Sequence, residues 1–258
     1  MGRFLFIISL VLSHLAIGQV KTVGTPDIVN YTKKQYQAST QNWAIAQDKH
    51  GFMYFANNDG VLRFDGLHWD LFEVAKASPV RAVCIDSKDR IFVGLFNDFG
   101  ILEIDIDGTY QFRSMKNLLP DPELSFNDVW KIVEIPEGIV FQSFDYVFIY
   151  RNNVLQVIEP QKQFHFTFSV NGRLFLHEPG VGLFEYINGF INRVPWSVEL
   201  TDKEIWTILN ISGNHLLIGT RRHGIYKFED GLLEKWETEA NDFVEKYKPG
   251  LAEEDGSS

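Results

Sequence analysis

The sequence contains one cysteine, Cys84, among 258 residues. A single thiol excludes an internal disulfide and any metal site built from several cysteines. Cys84 lies within the apolar run Val80–Ile85, where a small buried thiol suits the surroundings better than a reactive nucleophile. We therefore expect Cys84 to be structural.

Positive charge is also scarce. Lys and Arg together number 24 against 34 Asp and Glu, which gives the chain a net charge of −10. Proteins that bind nucleic acid neutralise its phosphates with clustered Lys and Arg. Nucleic acid is therefore not an expected partner of this chain.

Long apolar runs are missing after the first residues. Phe4–Ile17 is a stretch of roughly 14 mostly apolar residues, short of the roughly 20 that span a bilayer. Arg3 precedes it, and the small residues Ala16 and Gly18 occupy positions −3 and −1 of a cleavage site. The pattern predicts a secretory signal peptide over residues 1–18, cut after Gly18, with a membrane anchor as the alternative. The mature chain is then periplasmic or secreted and carries no membrane span.

Sequence motifs for catalysis and metal binding are missing as well. The seven histidines show no His-x-x-x-His or His-Glu-x-x-His spacing, and the chain has no Gly-x-Ser-x-Gly elbow, phosphate-binding loop or dinucleotide fingerprint. Asp105–Gly108 resembles the start of a calcium loop but lacks the distal Glu, so a hairpin turn is the simpler interpretation. We expect a non-catalytic protein without a metal site or a cofactor.

Aromatic and turn residues, in contrast, are abundant. The chain has 22 Phe and 20 Gly; aromatic side chains favour strands, and glycine permits tight turns. The clearest structural unit starts at Trp43, and in it we predict strands at residues 43–47, 52–56, 61–64 and 68–72. The turns between them contain Gly51, Gly60 and Asp65-Gly66, and Asp-Gly is a strong hairpin signal.

This unit recurs along the chain. Trp-x-Ile starts a first strand at Trp43, Trp130 and Trp206, and turn glycines repeat with a period of about 40 residues. The other copies occupy residues 80–112, 128–153, 164–194 and 204–236. Four strands per unit at this period predict an all-β fold, a β-propeller of four-stranded antiparallel blades. A β-sandwich or jelly roll is the alternative architecture.

Five blades are visible in the sequence. They form either a small closed ring or part of a larger one, such as a seven-bladed ring. The predicted organisation is a signal peptide at residues 1–18, a lead-in segment at 19–40, blades at 41–236, and the start of a further blade or a truncated tail at 237–258.

Segments in the first three blades resemble a known family. Asn30–Trp43, Asn57–Gly60, Phe96–Gly100 and Asp128–Ile132 are similar to segments of bacterial two-component-regulator propeller proteins, the triple-tyrosine-motif regulators. The resemblance covers about residues 29–250. In that family a periplasmic propeller is followed by a triple-tyrosine domain, a membrane helix and an output module, either a histidine kinase or a helix-turn-helix regulator. The resemblance implies a ligand-sensing domain of a signal-transduction or transcription regulator, here a fragment without its output module.

Polar residues in the loops around the predicted first strands are the candidate ligand-binding residues. Propellers gather these loops around the central channel, at the entry to each first strand and between the second and third strands. The candidates are Asn42, Asn57, Asn58, Arg81, Asn97, Asp98, Asn127, His165, Arg221, Arg222 and His223.

Two features near these candidates have competing interpretations. The forked guanidinium groups of Arg221 and Arg222 suit a carboxylate or sulfate, although two solvated turn charges are the simpler explanation. Trp43, Trp130 and Trp206 recur at one blade position, so we expect them in the core between blades rather than on a sugar-stacking surface.

The expected partners are an oligosaccharide or another polar small ligand, and an envelope protein or a second copy of the chain. The sequence is compatible with two other functions. One is an extracytoplasmic protein-interaction scaffold that takes no small ligand. The other is an exported propeller lyase, which needs a metal or an acid/base pair on the channel face.

Overall fold

The structure is a computed structural model that describes residues 28–74 and 78–246. The chain divides into two units, the second of which begins at Lys33. The predicted signal peptide and its cut after Gly18 lie outside the described residues. The second unit carries the strands, which form five four-stranded sheets in its described part.

We number these sheets blades 1 to 5 in chain order. Blade 1 contains β1 (Asn42–Gln47), β2 (Met53–Asn57), β3 (Gly60–Phe64) and β4 (Trp69–Phe72). Blade 2 contains β5 (Ala82–Ile85), β6 (Ile91–Leu95), β7 (Asp98–Ile104) and β8 (Tyr110–Ser114). Blade 3 contains β9 (Lys131–Ile135), β10 (Gly138–Gln142), β11 (Val147–Arg151) and β12 (Val154–Ile158).

Blade 4 contains β13 (Thr167–Val170), β14 (Arg173–Glu178), β15 (Gly182–Ile187) and β16 (Phe190–Arg193). Blade 5 contains β17 (Ile205–Ser212), β18 (His215–Thr220), β19 (Ile225–Glu229) and β20 (Leu232–Lys235). In every blade the strands are antiparallel and follow one another in chain order. The predicted all-β fold and the predicted four-stranded repeat are confirmed, and the strand ends of blade 1 differ from the predicted ones by at most one residue.

Hairpin turns join the strands because short polar residues and glycine adopt the left-handed backbone there. Between β15 and β16, Asn188 has φ 52° and Gly189 has φ 92°, as a two-residue primed turn requires. Gly60 has a different role. A Cβ at this position would lie 2.2 Å from the carbonyl oxygen of Phe72, so the absence of a side chain lets β3 approach β4 closely.

Apolar clusters fill the interfaces between successive blades. The interface between blades 1 and 2 holds Tyr54, Val61, Val83 and Val93, and that between blades 2 and 3 holds Phe92, Phe99, Phe141 and Phe148. The interface between blades 3 and 4 holds Val140, Ile149, Leu174 and Leu176, and that between blades 4 and 5 holds Phe168, Phe175, Ile208 and Ile218. Each middle blade is therefore buried on both faces, which explains the nearly continuous apolar sequence of β6.

The inner strands β1, β5, β9, β13 and β17 contact one another in succession. They place the entry to each blade next to the entry of its neighbour. Two short helices flank the blades: α1 (Lys33–Tyr36) contacts β4, and α2 (Glu239–Lys246) follows β20. Within the described ranges, no helix has the length and apolar character needed to cross a membrane.

Cys84 packs against the apolar cluster between blades 2 and 3. Burial, with the nearby carboxylates of Glu134 and Asp86, raises the pKa of its thiol to about 11. The thiol therefore stays protonated at neutral pH, as expected of a structural cysteine.

Candidate functional site

A row of aromatic rings runs along the entries to the inner strands. We call Trp43, Trp130, Phe144, His165 and Trp206 the aromatic row. Consecutive ring centroids are 5.5, 6.0, 6.3 and 6.2 Å apart, so the rings form one continuous surface contributed by blades 1, 3, 4 and 5. Trp43 is 41% exposed and Trp206 is 43% exposed.

The expectation that the recurring tryptophans belong to the core is therefore wrong. Trp43 and Trp206 lie at positions where the register of their strands shifts, next to β1 residue Ala44 and β17 residue Thr207. These irregularities turn the indole away from the blade interface, where Ile205 and Ile208 of β17 pack instead. Periodicity alone does not show such a local shift.

Arg81 holds the first end of the row. Its guanidinium lies 4.4 Å from the ring centroid of Trp43 and 5.2 Å from that of Trp130. Its Nε donates to Asp128 over 3.1 Å, and its Nη1 donates to Asn58 Oδ1 over 3.3 Å. Trp43 Nε1 donates to the same Asn58 oxygen over 2.8 Å. One network thus fixes side chains of blades 1, 2 and 3 against each other.

Arg221 holds the other end in a similar way. Its guanidinium lies 5.6 Å from the ring centroid of Trp206, and its Nη1 donates to Glu204 Oε2 over 3.0 Å. Partial burial alone would raise the pKa of Glu204, but the hydrogen bond and the charge of Arg221 hold it below its ordinary value. Glu204 is therefore ionised and paired at neutral pH.

Two histidines lie at the junction of blades 4 and 5. The rings of His165 and His177 meet edge to face with centroids 5.9 Å apart. Burial lowers the pKa of His165, and burial together with the charge of His165 lowers that of His177 to about 4. Both rings are therefore neutral at pH 7. His177 is fully buried and approaches the backbone of Lys203.

Of the eleven residues predicted from the sequence, the structure places four at the aromatic row: Asn58, Arg81, His165 and Arg221. The sequence-based list omitted Asp128, Phe144, Glu204 and the three tryptophans. Asp128 and Glu204 lie at the entries to the first strands of blades 3 and 5. The criterion that selected Asn127 and His165, a polar residue at such an entry, therefore applies to them as well.

The predicted asparagines of blade 1 divide between two roles. Asn57 is fully buried, and its Nδ2 donates to Asn42 Oδ1 and to the Ser39 carbonyl, each over 2.7 Å. These bonds tie the lead-in segment to β2. Asn42 and Asn57 thus already bond each other, whereas Asn58 faces the row.

The candidates around blades 2 and 3 also bond within the protein. Asn97 Oδ1 accepts from the Phe126 amide over 3.0 Å, and the amide and side chain of Asn127 both donate to Asp145 Oδ2. Asp98 Oδ1 accepts from Ser114 Oγ over 2.6 Å, and burial raises the pKa of its carboxyl. These three residues shape turns rather than join the row.

The last two candidates lie in the turn between β18 and β19. Arg222 and His223 are exposed, and the His223 amide donates to Thr220 Oγ1 over 3.0 Å. The neighbouring arginines therefore differ: Arg221 turns inward to Glu204, while Arg222 remains on the surface. The two guanidinium groups do not act as a pair.

Known structures share this arrangement of sheets. The chain is similar to a streptogramin B lyase, with a TM-score of 0.57 and 16% identity over 77% of this chain and 69% of that one. It is also similar to the WD40 β-propeller domain of Doa1, with a TM-score of 0.52 and 12% identity over 77% and 72% of the two chains. The fold is a β-propeller.

This propeller is also similar to the extracellular domain of a hybrid two-component system from B. thetaiotaomicron, with a TM-score of 0.56 and 16% identity. The match covers 77% of this chain but only 28% of that one. At these identities the likeness shows the propeller fold alone. No family model matches the chain, and no curated protein matches it as a relative.

Proposed function

We propose that this propeller is an extracytoplasmic ligand-sensing domain of a signal-transduction or transcription regulator, and that it binds its ligand on the aromatic row without catalysis. The observation that carries the proposal is the row itself. Its two end tryptophans, Trp43 and Trp206, are 41% and 43% exposed to solvent, yet two arginine networks hold them in fixed positions. Rigid exposed aromatic side chains are a common basis for recognition.

The charged groups at the row fit binding better than catalysis. A general acid needs a raised pKa and a nucleophile needs an activating base. Asp128 is bonded to Arg81, and the pKa of Glu204 is lowered, not raised. The two neutral histidines lie at the junction of blades 4 and 5. The carboxylate beside them, Glu204, is already bonded to Arg221 and does not serve as their acid/base partner.

The sensor role is supported by two likenesses. The sequence resembles the two-component-regulator propellers in the segments given above, and the fold matches the extracellular domain of a hybrid two-component system. The predicted signal peptide agrees with export to the periplasm or beyond the cell. The ligand suggested by these observations is a polar small molecule such as an oligosaccharide.

A cavity away from the row is a weaker candidate for the site. It has a volume of about 900 Å³ and is lined by turns of blades 2, 3 and 4, including Ser87, Glu134 and Asn152. The backbone amide and the hydroxyl of Ser87 already bond Glu134. Ser87 and Glu134 therefore serve a contact between blades 2 and 3.

Calorimetric titration and thermal unfolding of the chain with a panel of soluble oligosaccharides test the proposal. We expect at least one member to bind and to raise the unfolding temperature, because a ligand of the folded state stabilises it by mass action. A Trp206→Ala variant that folds normally is expected to lose this response. If the panel gives no response while affinity capture retrieves one envelope protein through the same surface, the scaffold function replaces this proposal.

A further inference from the structure

The two ends of the aromatic row are built alike. Each end has a half-exposed tryptophan, an arginine over the tryptophan ring and a carboxylate bonded to that arginine. The first set is Trp43, Arg81 and Asp128, and the second is Trp206, Arg221 and Glu204. The two sets come from different blades and are connected by Trp130, Phe144 and His165.

Charge decides what such a surface accepts. Arg81 Nε lies 3.1 Å from Asp128, and Arg221 Nη1 lies 3.0 Å from Glu204. The side chains of both arginines are less than 20% exposed, so neither swings out freely to meet another anion. A carboxylated or sulfated ligand would have to displace a carboxylate that is already in place, on a chain whose net charge is −10.

Paired guanidinium and carboxylate groups nevertheless bind hydroxyls well. A hydroxyl donates to a carboxylate oxygen and accepts from a guanidinium N–H at the same time. The Glu204 side chain remains 41% exposed although Arg221 is bonded to it, and the Asp128 side chain remains 21% exposed beside Arg81. Both carboxylates therefore keep oxygen surface that can accept a hydrogen bond from a ligand hydroxyl or from a water that bridges to one.

The shape of the row favours a chain of rings over a single flat molecule. Aromatic metabolites are normally enclosed in apolar pockets that bury most of their surface. The depression next to Phe144 and His165 has a volume of only about 300 Å³ and is open to solvent. The exposed indoles lie at opposite ends, separated by three further rings.

We infer that the aromatic row binds an uncharged oligosaccharide lengthwise, with one sugar ring stacked at Trp43 and another at Trp206, each held by the adjacent arginine–carboxylate pair. This inference rests on the proposed function and adds to it the charge of the ligand and the two contact points.

The first test compares neutral with acidic ligands. Calorimetry of the full chain is carried out with neutral hexasaccharides of glucose, xylose, mannose and galactose, and with oligogalacturonate and chondroitin sulfate oligosaccharides. We expect a neutral hexasaccharide to bind with an affinity that changes little with ionic strength, because no net charge is neutralised. The disaccharide of the same sugar is expected to bind at least about tenfold more weakly, since it reaches one end only.

Substitutions at each end provide the second test. Trp43→Ala and Trp206→Ala are each expected to weaken binding of the neutral hexasaccharide at least tenfold. Trp236→Ala is the matched control: Trp236 is 46% exposed, close to Trp206, but it lies outside the row after β20. Thermal unfolding of each variant separates a loss of contact from a loss of fold.

Releasing an arginine gives the sharpest test of the charge argument. Glu204→Gln removes the carboxylate that Arg221 bonds and leaves the guanidinium without a counter-charge. We expect this variant to gain affinity for oligogalacturonate at low salt, whereas Glu234→Gln on the exposed outer strand β20 gains none.

Three results would overturn the inference. Tight binding of acidic oligosaccharides to the unsubstituted chain, lost in Trp206→Ala, contradicts the charge assignment but leaves the sensor function standing. Neutral binding that survives both tryptophan substitutions contradicts the location. Absence of binding to every oligosaccharide contradicts the inference and the proposed function together.

Discussion

His177 lies in an environment very different from the one that a free histidine side chain meets in water. It is fully buried between blades 4 and 5, and the groups around it are His165, Glu204 and the backbone of Lys203. Its ring must remain neutral to be accommodated there. His165 and Trp206 of the aromatic row therefore lie at a junction whose stability depends on pH.

Stability is expected to fall as the pH drops through the range from 6.5 to about 4. The pKa of His177 is lowered to about 4 in the folded protein, while the unfolded chain titrates near 6.5. Between these values the unfolded state binds more protons, so the free energy of unfolding rises with pH. The stabilising contribution of the neutral His177 ring is fully present above pH 6.5. The contribution is on the order of 3 kcal/mol at most.

Urea unfolding of the unsubstituted chain and of His177→Gln across this range measures the effect. Carboxylates titrate in both proteins, so the difference between them isolates the histidine. A difference that does not change between pH 4 and pH 7 would contradict the burial of a neutral ring. His223→Gln, at an exposed turn position, is the control and is expected to leave the pH profile unchanged.

At the scale of elements, the sequence predicted the hairpins well because their signals are local. Asp65-Gly66 directly follows β3, and Asn188-Gly189 and Asp230-Gly231 fill the two positions between the strands they join. The aromatic row was not predicted, because it combines residues from Trp43 to Arg221 that only the packing of successive blades brings together. A register shift of one residue decided whether Trp43 and Trp206 faced the core or the solvent.

Gly60 is expected to be essential to blade 1, and Gly66 is not. Both have positive φ, 146° and 99°. A Cβ at Gly60 would lie 2.2 Å from the Phe72 carbonyl oxygen, whereas a Cβ at Gly66 would meet nothing within 4 Å. We expect Gly66→Ala to cost about 1 kcal/mol of unfolding free energy from backbone strain alone.

Gly60→Ala adds the clash of β3 with β4 and is expected to cost at least about 3 kcal/mol, or to prevent folding. Denaturant unfolding of the two variants compares them directly. Equal losses of stability would show that Gly60 of β3 does not lie as close to the Phe72 carbonyl oxygen of β4 as in the structure.

At the scale of the whole molecule, the blades are expected to support one another rather than fold singly. Phe99 of blade 2 is fully buried and meets Phe141 and Phe148 of blade 3 with ring centroids 4.4 and 4.9 Å away. Phe99→Ala is expected to lower the unfolding free energy by about 3–5 kcal/mol in a single transition. Phe190→Ala, at a position that is 74% exposed, is expected to change it by less than about 0.5 kcal/mol.

The unfolding transition of Phe99→Ala also shows whether the blades unfold together. If Phe99→Ala melts blade 2 separately and leaves the near-ultraviolet signal of blades 4 and 5 intact, the interfaces contribute less than their packing indicates.

The chain's six tryptophans allow a direct test of ligand binding on the aromatic row. Each indole N–H gives one signal in a ¹H–¹⁵N correlation spectrum, assigned by substitution, and the chain is titrated with the neutral hexasaccharides of glucose, xylose, mannose and galactose. Binding on the aromatic row predicts saturable shifts at Trp43, Trp130 and Trp206 with one of these sugars, while Trp69, Trp196 and Trp236 remain unchanged. Shifts confined to the latter three, or no shift with any of the four sugars, would contradict it.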